Sequence, residues 1–101
     1  MITKDIVLMN EIFSILDSGI IDGYDFFCFE VEVGDGYIDT KLTVERDGFV
    51  VADVGTDIND AELYGLMRNL KLNASQRGDS WKSFAMCYRR GGQVKTNFKY
   101  D

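Results

Sequence analysis

The segment Tyr24-Asp-Phe-Phe-Cys-Phe-Glu-Val-Glu-Val33, followed by Gly34-Asp35-Gly36 and Tyr37-Ile-Asp-Thr-Lys-Leu-Thr-Val-Glu45, admits few folds. Two alternating runs joined by an Asp-Gly pair predict a β-hairpin, because Asp and Gly tolerate the positive φ that a type I′ turn demands. With Asp35-Gly36 as the turn, Val33 opposes Ile38, Val31 opposes Thr40, Phe29 opposes Leu42 and Phe27 opposes Val44. One face is then almost wholly apolar, while the other sets Glu30 against Lys41 and Glu32 against Asp39. A slip of one residue would mix the two sets, so the pattern itself selects the register.

A second turn, Arg46-Asp47-Gly48, leads into Phe49-Val-Val-Ala-Asp-Val54. Read as a three-residue loop with Gly48 left-handed, it opposes Val44 to Val50, Leu42 to Ala52 and Thr40 to Val54, which continues the apolar face. A two-residue loop would instead set Asp53 against Leu42. The three-residue loop is therefore the expected one.

Helices are predicted on either side of this meander. Thr3 is placed to cap the first, whose Ile6, Leu8, Met9, Ile12, Phe13, Ile15 and Leu16 form a broad apolar stripe ending near Asp17-Ser18-Gly19, with Gly19 left-handed. Asn59 and Glu62 resemble a capping box for the second, in which Leu63, Leu66, Met67, Leu70 and Ala74 form a narrower stripe. Asn73 to Ser80 reads as a loop. The last run, Trp81 to Asp101, alternates on both sides of Gly91-Gly92 and predicts a final hairpin with a two-residue turn. The order is α-β-β-β-α-β-β over a single domain, residues 1–101. An α+β fold follows: a five-stranded antiparallel sheet with both helices packed on one face.

The turn at Gly91-Gly92 opposes Ala85 to Phe98 and Cys87 to Thr96, on a face continued by Trp81. Phe84, Met86 and Tyr88 then fall beside Lys95, Asn97 and Lys99. Burying that second face would bury several cations, which is costly unless they are paired. Phe84, Met86 and Tyr88 are thus expected on the helix-free face, either as an apolar row for a partner or sheathed by lysine stems. The same face should carry Glu30, Glu32, Asp39, Glu45 and Asp53. Those carboxylates are either an ordinary solvated surface or an electrostatic recognition site for a basic partner. Trp81 is more often core than contact, given the area it can bury.

Composition narrows the chemistry. The chain has no histidine, which removes the commonest general base at neutral pH and most catalytic zinc sites. No catalytic residue set, metal site or cofactor motif stands out, and an enzyme is not expected. Cys28 and Cys87 lack CxxC spacing and are expected as two buried free thiols. A disulfide between neighbouring strands is the alternative, disfavoured by a reducing compartment. No apolar run approaches the roughly 20 residues of a membrane-spanning helix, and the N-terminus lacks the basic region of a secretory signal, so a cytoplasmic location is expected. Net charge is −6 and unevenly placed, with 15 acidic against 4 basic side chains in residues 1 to 70 and 2 against 7 thereafter. The acidic part would repel a phosphate backbone and suits a cationic protein.

The order helix, three strands, helix, then a hairpin led by Trp81 and Phe84 and ending Phe98-Lys-Tyr100-Asp101 resembles the YezG-like immunity proteins of bacterial polymorphic-toxin and contact-dependent growth inhibition systems. The resemblance implies a small cytoplasmic protein that binds a cognate toxin domain, often a nuclease, and blocks it stoichiometrically. A second reading is a single-stranded nucleic-acid-binding module in which Lys82, Tyr88, Lys95 and Lys99 interleave base and aromatic. A third is a homodimer formed through Phe84, Met86 and Tyr88.

Overall fold

The computed structural model describes residues 3–100, with side chains from Asp5 onward. The chain divides into two compact units, one of residues 1–21 and 56–80, the other of 22–55 and 81–101.

The first unit is a pair of helices, α1 (Thr3–Gly19) and α2 (Asp60–Gln76). In α1 the buried side chains are Asp5, Met9, Ile12 and Leu16, a stripe at helical spacing that Ile20 continues just past the helix end, whereas Ile6 and Val7 are exposed. The stripe is therefore narrower than the sequence suggests. The capping role expected of Thr3 lies outside the described side chains. Gly19 is still helical and does not take the left-handed conformation; positive φ falls later, at Asp22 and Gly23. What requires glycine at 19 is close approach, since a Cβ there would stand 2.5 Å from Ile58 Cγ1 and 3.0 Å from the Asp57 carbonyl oxygen.

Asn59 caps α2 as expected, its Oδ1 accepting from the Glu62 N–H at 3.1 Å. Leu63, Met67, Leu70 and Ala74 are buried. The helix continues through Asn73–Gln76, which the sequence had suggested as loop, because Ala74 completes the buried stripe one turn beyond Leu70. Arg77 then caps the end through its backbone N–H.

Arg77 also reaches back to α1. Its Nη2 donates to Asp5 Oδ2 at 2.6 Å and its Nη1 to Oδ1 at 3.4 Å, while Asp5 is only 3% exposed. A carboxylate taken out of water is tolerable only with such a partner. Arg77→Met should therefore lower stability by about 3 kcal/mol, the low end for a buried pair broken from one side, since the arginine is partly solvated. Urea denaturation checks this; a loss below about 1 kcal/mol would mean that water replaces the guanidinium without penalty.

The second unit is a five-stranded antiparallel sheet: β1 (Phe26–Gly34), β2 (Tyr37–Arg46), β3 (Phe49–Val50), β4 (Trp81–Arg89) and β5 (Lys95–Tyr100), in the order β3-β2-β1-β4-β5. The β1 to β2 register is the expected one throughout, including Val33 with Ile38 and Phe27 with Val44. Only Gly36 of its turn has positive φ, so the turn is not type I′. The Tyr37 ring lies across Gly34, where a Cβ would collide with it.

Two registers differ from expectation. In the β2 to β3 turn both Asp47 (φ 57°) and Gly48 (φ 83°) are left-handed, and Arg46 pairs with Phe49 and Glu45 with Val50. This is the two-residue loop. It escapes the clash of Asp53 with the apolar face because β3 ends at Val50, leaving Asp53 in the following segment. Between β4 and β5, residues 90 to 94 form the connection, and only Gly91 of the glycine pair has positive φ. Phe84 thus pairs with Phe98, Met86 with Thr96 and Cys87 with Lys95, one residue away from the expected pairing.

That shift changes which face is buried. Phe84 and Met86 (2% and 0% exposed) lie on the face of Phe27, Phe29 and Val31, while Ala85 and Cys87 lie on the face of Glu30 and Cys28. Lys95, Asn97 and Lys99 move with Ala85 and Cys87. The register now separates cations from large apolar groups, so burying the Phe84 face costs no lysine desolvation. A bulge between Trp81 and Ser83 returns Trp81 to the buried side, where its ring centroid lies 5.5 Å from Phe84 and 5.4 Å from Phe98.

Cys28 and Cys87 stand opposite each other on β1 and β4 and form a disulfide. The expectation of free thiols is overturned because the strand pairing, not their sequence separation of 59, sets how close they stand.

Candidate partner-binding face

The open face of the sheet is built in rows across the strands. One row runs Asp39, Glu32, Ser83, Lys99; the next runs Lys41, Glu30, Ala85. Alternation puts these side chains on one side because their neighbours Val31, Phe84 and Met86 are committed to the other. Ser83 and Ala85 are small, so β4 forms a low floor between the acidic side chains of β1 and β2 and the lysine of β5. The result is a shallow depression of about 310 Å³ lined by Glu30, Glu32, Asp39, Lys41, Ser83 and Lys99.

Glu30, Glu32 and Asp39 are all exposed. Glu32 and Asp39 are directly opposed, a like-charge pair that costs stability within a sheet. Tyr37 partly relieves it by donating its hydroxyl to Glu32 Oε2 at 3.2 Å. The Glu32 charge, then its hydrogen bond, holds the Tyr37 phenol above its ordinary pKa. A raised phenol pKa keeps the proton on oxygen through neutral and mildly alkaline pH, so the donor stays available. Glu32→Gln should move the Tyr37 titration back toward lower pH, followed through the ring carbon resonance by NMR; an unchanged midpoint would exclude Glu32 as the cause.

The other expected site residues are placed differently. Glu45 lies on the open face but toward its far end, where its Oε1 is 3.9 Å from Arg89 Nη2, and Arg89 stacks over Phe26 at 4.9 Å from the ring centroid. Asp53 is exposed in the segment after β3 and belongs to no strand. Phe84 and Met86 are buried on the opposite side of the sheet, so they offer no apolar row to a partner or a second copy. Tyr88 is half-buried on that same side, with its ring 6.1 Å from Phe27 and 6.2 Å from Tyr24. The site is thus Glu30, Glu32 and Asp39 without the aromatic component.

Tyr37, Ser83 and Ala85 are not singled out as site residues by the sequence, and Lys99 enters there only through the nucleic-acid reading. Their signal was present as small residues alternating with large ones in β4, but it becomes legible only once the β4 to β5 register is known.

Among the described residues no group of three His, Cys, Asp or Glu side chains is placed to hold a metal ion, and no helix is long and apolar enough to cross a membrane. No family model matches the chain, and no curated protein matches it at a significant level.

Proposed function

We propose that this chain is an immunity protein that binds and neutralises a cognate bacterial toxin domain, a cationic nuclease being the best electrostatic match. The observation that carries the reading is the cluster of Glu30, Glu32 and Asp39 on an open, shallow sheet face. Within it Glu32 and Asp39 are directly opposed, a pairing that is unfavourable in the free protein and is relieved when a basic surface covers it. The element order and the Trp81, Phe84, Phe98, Tyr100 hairpin support the same family reading, and no histidine is present to suggest acid-base chemistry. Inhibition by this route is stoichiometric and needs no cofactor.

A cytoplasmic site of action follows from this reading. In a reducing compartment Cys28 and Cys87 would be carried as thiols, so binding should be measured in both redox states.

The test is co-expression with the toxin domain encoded by the adjacent reading frame. Rescue of growth and a one-to-one complex are expected. The triple variant Glu30→Lys, Glu32→Lys, Asp39→Lys should weaken the complex by at least about 100-fold, as expected for reversing several charges at an interface, while Asp53→Lys changes it little. Rescue by the triple variant at full affinity would sink the assignment of this face; absence of any complex would sink the function.

The nucleic-acid reading drew on aromatics interleaved with lysines. Tyr88 turns instead toward Tyr24 and Phe27, which takes away its stacking platform beside Lys95 and Lys99. Salt-dependent binding of single-stranded oligonucleotides is the result that would favour that reading.

A further inference from the structure

The sheet has one edge that fits itself. β2 runs from Tyr37 to Arg46, but β3 covers only Glu45 and Arg46, with Val51 N–H adding a bond to the Val44 carbonyl at 2.8 Å. Among the described residues, no strand pairs with the outer side of residues 37 to 43. Its outward groups follow from parity: the Val44 carbonyl points away from β1, whereas the Glu45 carbonyl points inward and accepts from Asp25 N–H at 2.9 Å. Backbone direction alternates along a strand, so Ile38, Thr40 and Leu42 each present an N–H and a C=O outward. None of these six groups has a partner among the described residues.

We propose that this edge pairs with the same edge of a second copy, antiparallel about a twofold axis at Thr40. In that register Thr40 meets Thr40, Ile38 meets Leu42, and Asp39 meets Lys41, with each of the last two pairings occurring twice. The outward-facing residues fall opposite one another, so all six backbone groups are satisfied in reciprocal hydrogen-bonded pairs. Asp39 and Lys41, both exposed, occupy the intervening pairs where side chains approach most closely. The uncovered span 37 to 43 is itself centred on residue 40, and β3 of each copy stands in line with the seam and closes its end.

Other registers are worse. Centring on 39 sets Asp39 against Asp39, and centring on 41 sets Lys41 against Lys41; like charges directly opposed disfavour both. The second edge of the sheet makes the contrast. On β5 the same symmetric pairing, centred on Asn97, would set Lys95 against Lys99. Lysines of one sign protect an edge from pairing, whereas the uncovered span of β2 carries one charge of each sign, Asp39 and Lys41, two residues apart. The interface is isologous and joins two five-stranded sheets into one of ten strands.

The test is sedimentation equilibrium of the wild-type chain with three variants, each checked for fold by circular dichroism. Wild type is expected to be a dimer. Thr40→Pro removes a central N–H at an edge position where proline is compatible with the fold, and should be monomeric. Asp39→Lys should raise the dimer dissociation constant at least about tenfold by creating two like-charge pairs, and the swap Asp39→Lys with Lys41→Asp should restore it. A wild-type chain that stays monomeric up to millimolar concentration overturns the proposal. So does a dimer indifferent to both single changes, or a folded swap variant no tighter than Asp39→Lys.

Discussion

Trp81→Ala is expected to remove about 4 kcal/mol of stability, in the range for deleting a fully buried large aromatic side chain. Trp81 is 1% exposed, and its ring, Phe84 and Phe98 form a closed triangle with centroid separations of 5.4 to 5.5 Å. The Trp81 and Phe84 planes are inclined at 82°, an edge-to-face arrangement that adds to the gain from burial. The substitution would leave a void against two rings held by β4 and β5, which cannot readily close over it. Tyr100→Ala, on the exposed partner of Trp81 in the same hairpin, should change stability by no more than about 0.5 kcal/mol. Urea denaturation of both variants distinguishes a core triangle from a hairpin-end decoration. Equal losses in the two would refute the first.

Removing the Cys28 to Cys87 bond should cost a similar amount. The bond closes a loop spanning 59 residues, and the chain-entropy model assigns about 4 kcal/mol to a closure of that length. Among the neighbouring strand pairs, β1 with β2, β2 with β3 and β4 with β5 are each connected by a short turn, whereas β1 with β4 is separated by β2, β3 and α2. The disulfide therefore staples the one pairing whose ends the chain does not already hold together. The expected result is a lower urea midpoint for the Cys28→Ala, Cys87→Ala variant, matched by the wild type in excess dithiothreitol. If reductant leaves the wild-type midpoint where it was, the link contributes nothing.

The element order was legible because its signals were local and redundant. Gly34-Asp35-Gly36 sits between two runs whose apolar residues agree on one register, so β1 and β2 pair as read. The other two hairpins lacked that redundancy. At Arg46-Asp47-Gly48, the two-residue loop depended on Asp47 taking φ 57° and on β3 stopping after two residues, neither of which the alternation encodes. In β4 both sets of alternate residues include apolar groups, Phe84, Met86 and Tyr88 on one side and Ala85 and Cys87 on the other, so periodicity alone could not choose between them. The choice was made by the lysines of β5, and their placement turned on one residue of loop. The acidic part of the candidate site survived this because Glu30, Glu32 and Asp39 belong to the securely read hairpin; Phe84, Met86 and Tyr88 did not.

The bulge between Trp81 and Ser83 acts as a parity bit in β4. A strand assigns faces by counting residues modulo two, and the extra residue at Lys82 advances the count without advancing the pairing, since two steps on β4 match one on β5. Trp81 can therefore share a face with Phe84, three positions away, although an unbroken strand would put them on opposite sides. Read as a code, the spacing Trp-x-x-Phe marks the bulged hairpin, while Trp-x-Phe or Trp-x-x-x-Phe would satisfy the same buried triangle only if the strand ran straight.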